Sequence, residues 1–468
     1  MFLKYTFYFY VKTAKGRSIL KKAVTLLFTT SLLLTGCSNV DKSSVKVLNQ
    51  VPEEKTNDIK INMAVVQGVD PNLRELIDKF NNDDNGYYIV MKDYYDFAEH
   101  NEEYSTLDMF DSLNDQLFRD IMYGEEVDIV FDGAFFSDVG LFDTLMEKGA
   151  FADLSTYLIN DEELGEEELN QNVIELHKTD GHLYCLPTFY TIDTMVGTTA
   201  LAGDKENWTF DEFVEKWNKM PEGSIFNGTR DKQDVLLCLL DNTLSSFYDI
   251  KNGTASFDSI EFKKILEFSN RFLNSEMKSD ADIFASDFAN EITFRGFGSL
   301  SMGLKNDFGE ETTLVGYPSY DGNGAIINSS KNRYAICEKS SEDVKKGAWL
   351  FLRKMYMEDY QYTNSEQYFP INNKAFDKLA EELKKDIGTK ETVKAQGAEI
   401  EICHLTAEEY TKLINYVKNA NKVNANSERE IKNVVLETVL PYFNEETDID
   451  SVIKELQNKI NLYLSEKQ

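Results

Sequence analysis

Histidine is scarce: His100, His177, His182 and His404 are the only four in 468 residues. None stands in an H-E-x-x-H pattern or beside a C-x-x-C, so the spacing that a zinc centre needs is missing. Cysteine is nearly as sparse. Cys185, Cys238, Cys337 and Cys403 each lie in an apolar run (LYCLP, LLCLL, YAICE, IEICH). They read as small buried hydrophobes, with a disulfide among them left open. No G-x-x-x-x-G-K-[ST] occurs, which excludes a phosphate-cradling P-loop, and no nucleophile elbow points to a hydrolase. Positive charge is short as well, at 49 Lys+Arg against 81 Asp+Glu. Nucleic acids and anionic lipid surfaces are bound through basic patches, so the balance argues against both.

What positive charge there is gathers partly at the amino end. Lys12, Lys15, Arg17, Lys21 and Lys22 form a basic stretch without an acidic residue, followed by the apolar run Ala23–Leu34 and then Leu34-Thr35-Gly36-Cys37. A basic region, a short apolar core and small residues at a cut site make a secretory signal. The core is about 12 residues, short of the roughly 20 that cross a bilayer. The quartet LTGC resembles a lipobox, in which the cysteine receives a diacylglyceryl group and the signal is removed before it. Residues 1–36 are therefore expected to be a lipoprotein signal peptide and Cys37 the lipidated residue. The processed chain keeps 43 basic and 81 acidic residues, a net charge of −38. Residues 37–57 are polar and aperiodic and read as a flexible tether, spanning about 25 Å on average.

About 410 residues of globular composition follow, more than one ordinary domain, so two lobes are the default expectation. Residues 59–66, a helix from Pro71 to Phe80 and residues 87–91 read as a β-α-β unit, which favours a parallel sheet. Further strands are expected at 127–131, 183–186, 194–197, 298–302, 313–317 and 334–337. Thr209-Phe210-Asp211-Glu212 and Asp258-Ser259-Ile260-Glu261 read as capping boxes that open helices. Beyond residue 343 the pattern is nearly all helical: 343–357, 374–385, 407–417, 428–443 and 449–464.

Seven stretches, in order, resemble the extracellular solute-binding proteins of carbohydrate-type ABC importers. They are Gly124–Val130 (GEEVDIV), Lys148–Leu154 (KGAFADL), Asp180–Pro187 (DGHLYCLP), Trp208–Phe213 (WTFDEF), Gly347–Leu352 (GAWLFL), Phe369–Asn372 (FPIN) and the terminal Ile453–Leu464. Val127 stands where the family usually has proline. Trp208 and Trp349 within these stretches read as core residues. The resemblance implies an α/β, two-lobed periplasmic-binding-protein-like fold of type II with three inter-lobe crossings and a helical C-terminal region. The crossings are expected near 189–193, 305–312 and 357–362. The first lobe would then comprise 58–189 plus 312–357, and the second 190–311 plus 358–468. It further implies a monomeric binding protein rather than an enzyme, with no cofactor. Its partners would be a small carbohydrate solute, ABC permease subunits and, through the lipid, the outer face of the cell membrane.

Open parallel sheets bind ligands beyond the carboxyl ends of their strands. That rule selects Gln67, Asp70, Asp132, Phe135, Phe136, Tyr190, Asp193, Lys305 and Tyr368 as ligand-binding candidates. The residue types suit sugar: rings stack on C–H faces, and carboxylates and amides pair with hydroxyls. Two other readings remain open from the sequence. One is the same scaffold holding a peptide or other polar solute. The other is a surface glycan hydrolase, which needs only two carboxylates at a suitable separation.

Overall fold

The computed structural model describes residues 46–49, 55, 57–95, 111–124, 127–135, 140–220, 231–240, 243–249, 252–272, 289–301, 311–329, 332–395, 398–423 and 428–466. Cys37 and the expected signal peptide lie outside them. The strands of the two main sheets and of one long hairpin are, in chain order, β1 (Lys46–Val47), β2 (Ile59–Val65), β3 (Tyr87–Asp93), β4 (Ile129–Phe131), β5 (Leu186–Pro187), β6 (Phe189–Thr198), β7 (Asn290–Phe294), β8 (Thr312–Leu314), β9 (Ile326–Asn328), β10 (Arg333–Ile336), β11 (Phe369–Pro370), β12 (Lys390–Ala395), β13 (Ala398–Cys403) and β14 (Lys422–Val423). The first sheet runs β1-β3-β2-β4-β10-β5, and the second β7-β6-β9-β14 with β8 and β11 also on β6. Two sheets, each flanked by helices and joined by repeated crossings, make a two-lobed α/β architecture.

The first sheet grows from the expected β-α-β unit, with β2 parallel to both β3 and β4. Between β2 and β3 runs the helix Pro71–Asn82, started by Asp70, whose carboxylate accepts from the N–H groups of Asn72 and Leu73 at 2.9 and 3.1 Å. Proline in that first turn has no N–H to leave unpaired. Leu73, Ile77 and Phe80 form the buried face, and Phe80 meets Phe351 edge-on with ring centroids 5.3 Å apart. Phe351 belongs to the helix Glu342–Leu352, which covers the same face of the sheet. Gly347 permits that approach: a Cβ there would sit 2.2 Å from the Tyr87 ring. Trp349 on the same helix is buried and donates its indole N–H to Asp161 at 2.7 Å, the core role expected for it.

Several expectations need correcting. The segment expected as a strand at 298–302 is instead the helix Phe297–Ser301. Helical spacing turns Phe297 and Leu300 to one side, into the main core, where Phe297 meets Phe369 and Phe376 at 5.4 and 4.9 Å. The second helix start is shifted by one residue, because Ser259 rather than Asp258 caps it. The all-helical C-terminal pattern is interrupted by the antiparallel hairpin β12–β13. The expected tether 37–57 is not free throughout, since Lys46–Val47 adds an antiparallel edge strand to β3.

The lobe boundaries also move. Residues 312–314 and 326–328 pair with β6 of the second sheet. The chain returns to the first sheet only at Arg333. The second crossing therefore lies between Asn328 and Arg333, not at 305–312, and 312–328 leaves the expected first lobe. The reason is the length of β6, whose ten residues span enough ladder to pair β7, β8, β9 and β11 at once.

Cysteine chemistry is quiet here: Cys185, Cys238, Cys337 and Cys403 form no disulfide with one another, and the first three are buried. Burial pushes the Cys185 thiol up to about 12.

Replacing Gly347 with alanine overpacks the contact with Tyr87. It is expected to cost about 1–3 kcal/mol, read as a lower urea midpoint with an unchanged m-value; unaltered stability would contradict the packing described.

Candidate functional site

Three segments join the two sheets, and they are lashed together by neutral polar groups. Gln361, fully buried, donates from Nε2 to the carbonyls of Thr188 (2.8 Å) and Met355 (2.7 Å), and its Oε1 accepts from the N–H of Ile371 at 2.9 Å. One amide thus ties the first crossing to the third. Thr188 donates its N–H to the carbonyl of Asn332 at 2.9 Å, tying the first crossing to the second. His177 adds another link, with Nδ1 2.7 Å from the Val173 carbonyl and Nε2 2.7 Å from the Ser329 hydroxyl. A carbonyl can only accept, so Nδ1 carries the proton and Nε2 accepts from Ser329. This arrangement suits the neutral ring, and burial, reinforced by the Arg333 charge, lowers the His177 pKa to about 4.

The segments that leave this joint line a cavity of about 530 Å³. Strand alternation makes it polar: Tyr190, Ile192 and Val196 of β6 enter the main core, whereas Thr191 and Asp193 face the cavity. Asp193 is held from both neighbouring strands, accepting from the Thr293 hydroxyl at 2.7 Å and the Asn328 amide at 3.0 Å. Glu291 accepts from the Tyr317 hydroxyl at 3.1 Å. Asn332 enters from the second crossing, and Gln367 and Tyr368 from the third. The Tyr368 ring stacks on Phe189 with centroids 6.0 Å apart. Arg295, exposed at the end of β7, is the one guanidinium among the described lining residues. The assembly offers carboxylates, amides, hydroxyls and a tyrosine ring around a space the size of a small solute.

The first sheet brings aromatic residues to the same end. Phe131 ends β4 and stacks on Tyr334 at 5.4 Å and 18°. Burial first, and then neighbours that include the Asp70 carboxylate, raise the hydroxyls of Tyr334 and Tyr360 above the ordinary phenol range.

Of the residues selected from sequence, Asp193 and Tyr368 line the cavity together. Gln67 is exposed beyond β2 with a positive φ of 59°, its N–H donating to Asp93. Asp70 is exposed and serves as the helix cap. Asp132, Phe135 and Tyr190 are corrections, because none of the three reaches solvent. Asp132 accepts from Nε of Arg333 at 2.9 Å, while Nη1 of Arg333 reaches Asp143 at 2.7 Å, which binds β4 to β10. Phe135 packs on Phe142 inside the first lobe. Tyr190 is enclosed, with the Asn170 amide 3.3 Å from its hydroxyl. Phe136 and Lys305 lie outside the described residues. Sequence reasoning missed Glu291, Arg295, Asn328 and Asn332. Glu291 sits on β7 and Arg295 just beyond its end, and sequence did not reveal that strand. The other two flank a crossing that was expected elsewhere.

No protein-family model matches this sequence, and no curated protein matches it. Solved structures do. One is the cyclic alpha-maltosyl-1,6-maltose binding protein from Arthrobacter globiformis, with TM-score 0.55 and 12% identity over 87% of this chain and 100% of that chain. Another is the sugar-binding protein MalE from Xanthomonas citri, with TM-score 0.53 and 11% identity over 87% and 98%. A third is a family 1 extracellular solute-binding protein from Alicyclobacillus acidocaldarius, with TM-score 0.52 and 13% identity over 87% and 98%. At such identities the likeness establishes the fold, which is that of the two-lobed solute-binding proteins.

Two outcomes follow from the joint. Gln361→Ala strands two buried carbonyls and the N–H groups of Ile371 and Asn372, each costing about 1–3 kcal/mol unpaired. Its thermal midpoint is expected to fall by several degrees, more than for an exposed control such as Gln67→Ala. His177, depressed in the folded state, supports stability that is present above the unfolded value near 6.5 and is lost as pH falls through about 4. His177→Gln should therefore flatten the change in urea midpoint between pH 7 and pH 4; an unchanged slope would exclude His177 as its source.

Proposed function

We propose that this chain is a lipid-anchored extracellular solute-binding protein that captures a sugar or oligosaccharide between its lobes and passes it to ABC permease subunits. The observation that carries the reading is the cavity at the joint, where all three crossing segments contribute side chains. A solute there touches the parts that must move for the lobes to close, so contacts made only in the closed state bias the hinge. The chemistry of the lining supports a polyhydroxy solute. Asp193, Glu291, Asn328 and Asn332 offer hydroxyl partners, and Tyr368 offers a ring face for stacking. A peptide or acid clamped by paired arginines is less well served by a single Arg295 beside two carboxylates. The names of two neighbours, a cyclic alpha-maltosyl-1,6-maltose binding protein and a sugar-binding protein, support the same class. The basic stretch, short apolar run and LTGC quartet support export and lipidation at Cys37, which would keep the receptor beside its permease.

Calorimetric titration with a panel of mono- and oligosaccharides tests the assignment. Saturable binding without turnover is expected for at least one saccharide. Asp193→Ala is expected to weaken it ten- to a hundred-fold, the effect of losing about 1.5–3 kcal/mol of hydrogen bonds to a charged group, and Tyr368→Ala by a comparable factor. If peptides bind and no saccharide does, the sugar assignment is wrong.

A further inference from the structure

The chain is laid along the outer edge of the first sheet before it enters the body. Lys46 pairs opposite Asp93 and Val47 opposite Lys92. Leu48 donates its N–H to the Met91 carbonyl at 3.0 Å. The Asn49 side chain then imitates one more rung, donating to the Ile89 carbonyl at 2.9 Å and accepting from the Met91 N–H at 2.8 Å. A second attachment follows at Lys55, whose ammonium reaches the Asp83 carbonyl at 2.9 Å and the Asp58 carboxylate at 3.2 Å.

The direction of this strap has a consequence for orientation. Because β1 is antiparallel to β3, Lys46 lies at the carboxyl end of β3. β2 runs parallel to β3 and β4, so the carboxyl ends of all three share one edge. Asn332, which lines the cavity, precedes Arg333 at that same edge, where Tyr334 pairs with Phe131. Four strand spacings separate β1 from β10 in the order β1-β3-β2-β4-β10, or about 19 Å at roughly 4.8 Å each. The covalent entry to the body and the rim of the cavity thus share one edge of the first sheet.

We infer that residues 46–49 are a strap that sets where the membrane tether leaves the body, so that the cavity-bearing edge of the first lobe is the face held toward the bilayer. The inference rests on the reading of Cys37 as the lipid-bearing residue. Residues 38–45 alone then separate anchor from strap. Eight residues span about 16 Å on average and about 28 Å at full extension. Without the strap, the seventeen residues 38–54 that precede the Lys55 attachment would average about 23 Å and reach about 60 Å. Solute entry and release would then occur on the membrane-facing side, within reach of a permease.

Energy transfer from the full lipidated protein on phosphatidylcholine liposomes carrying an acceptor lipid tests this. A donor is placed, as an unnatural amino acid, either at Gln67 on the cavity edge or at Asp84 on the opposite edge. Transfer is expected to be stronger from Gln67. In the variant Leu48→Pro with Asn49→Ala, which removes the Leu48 N–H bond to Met91 and the Asn49 rung, the difference should shrink toward zero. A twelve-residue Gly/Ser insertion between residues 45 and 46, which leaves the strap intact, should lower transfer from both positions. Equal transfer from the two positions in the unaltered protein overturns the strap while leaving the anchor standing, provided the protein floats with the liposomes. Failure to float overturns the anchor, and the strap's role with it.

Discussion

Everything in this fold depends on carrying a chain between two sheets without stranding its backbone. At a crossing the ladder stops, and each buried N–H or carbonyl left behind costs about 1–3 kcal/mol. Gln361 answers this at two crossings with one side chain, because an amide carries both donors and an acceptor. The Thr188–Asn332 bond and the His177–Ser329 pair serve the second crossing in the same neutral currency of hydrogen bonds. The ion pairs beside the second crossing, Arg333 with Asp132 and Asp143, are directed into the first lobe. Burying ions at a joint would demand desolvation that only excellent geometry repays, and a joint is where geometry changes. Thr191, Asn332 and Gln367 are near neighbours in sequence of these anchoring groups, so the joint also sets the shape of the cavity.

What was legible in the sequence is what local physics decides. The β-α-β start, the Thr209–Glu212 capping box and the last two helices follow from periodicity and capping within a few residues. The illegible parts depend on distant partners. Nothing near Phe297 announces that Phe369 and Phe376 will demand helical spacing. The register of β6 against four other strands, which moves the second crossing to 328–333, is likewise invisible before folding.

The candidate site shows the same division. Asp132 and Asp193 both looked suitable in sequence. Arg333, 201 residues away, consumes the first, whereas Thr293 and Asn328 orient the second without neutralising it. The rule that ligands meet the carboxyl ends of strands also assumes parallel strands. β10 is antiparallel to β4, so its amino end, with Tyr334, arrives at the ligand edge, and the rule passed over it.

The electrostatics of the cavity narrow what it can hold. A carboxylate has about four lone-pair sites. Asp193 accepts from two neutral donors, and Glu291 accepts from Tyr317. Both are therefore oriented by neutral groups. Arg295 balances one of the two charges, leaving the described lining net negative. An acidic solute would meet that charge in a partly enclosed space, where screening by water is weaker than at an open surface. A neutral polyhydroxy solute meets no such penalty, and its hydroxyls can donate to the carboxylates while accepting from Arg295 and the amides of Asn328 and Asn332. The local chemistry of the cavity thus points toward a ligand recognised by hydrogen bonding rather than by charge.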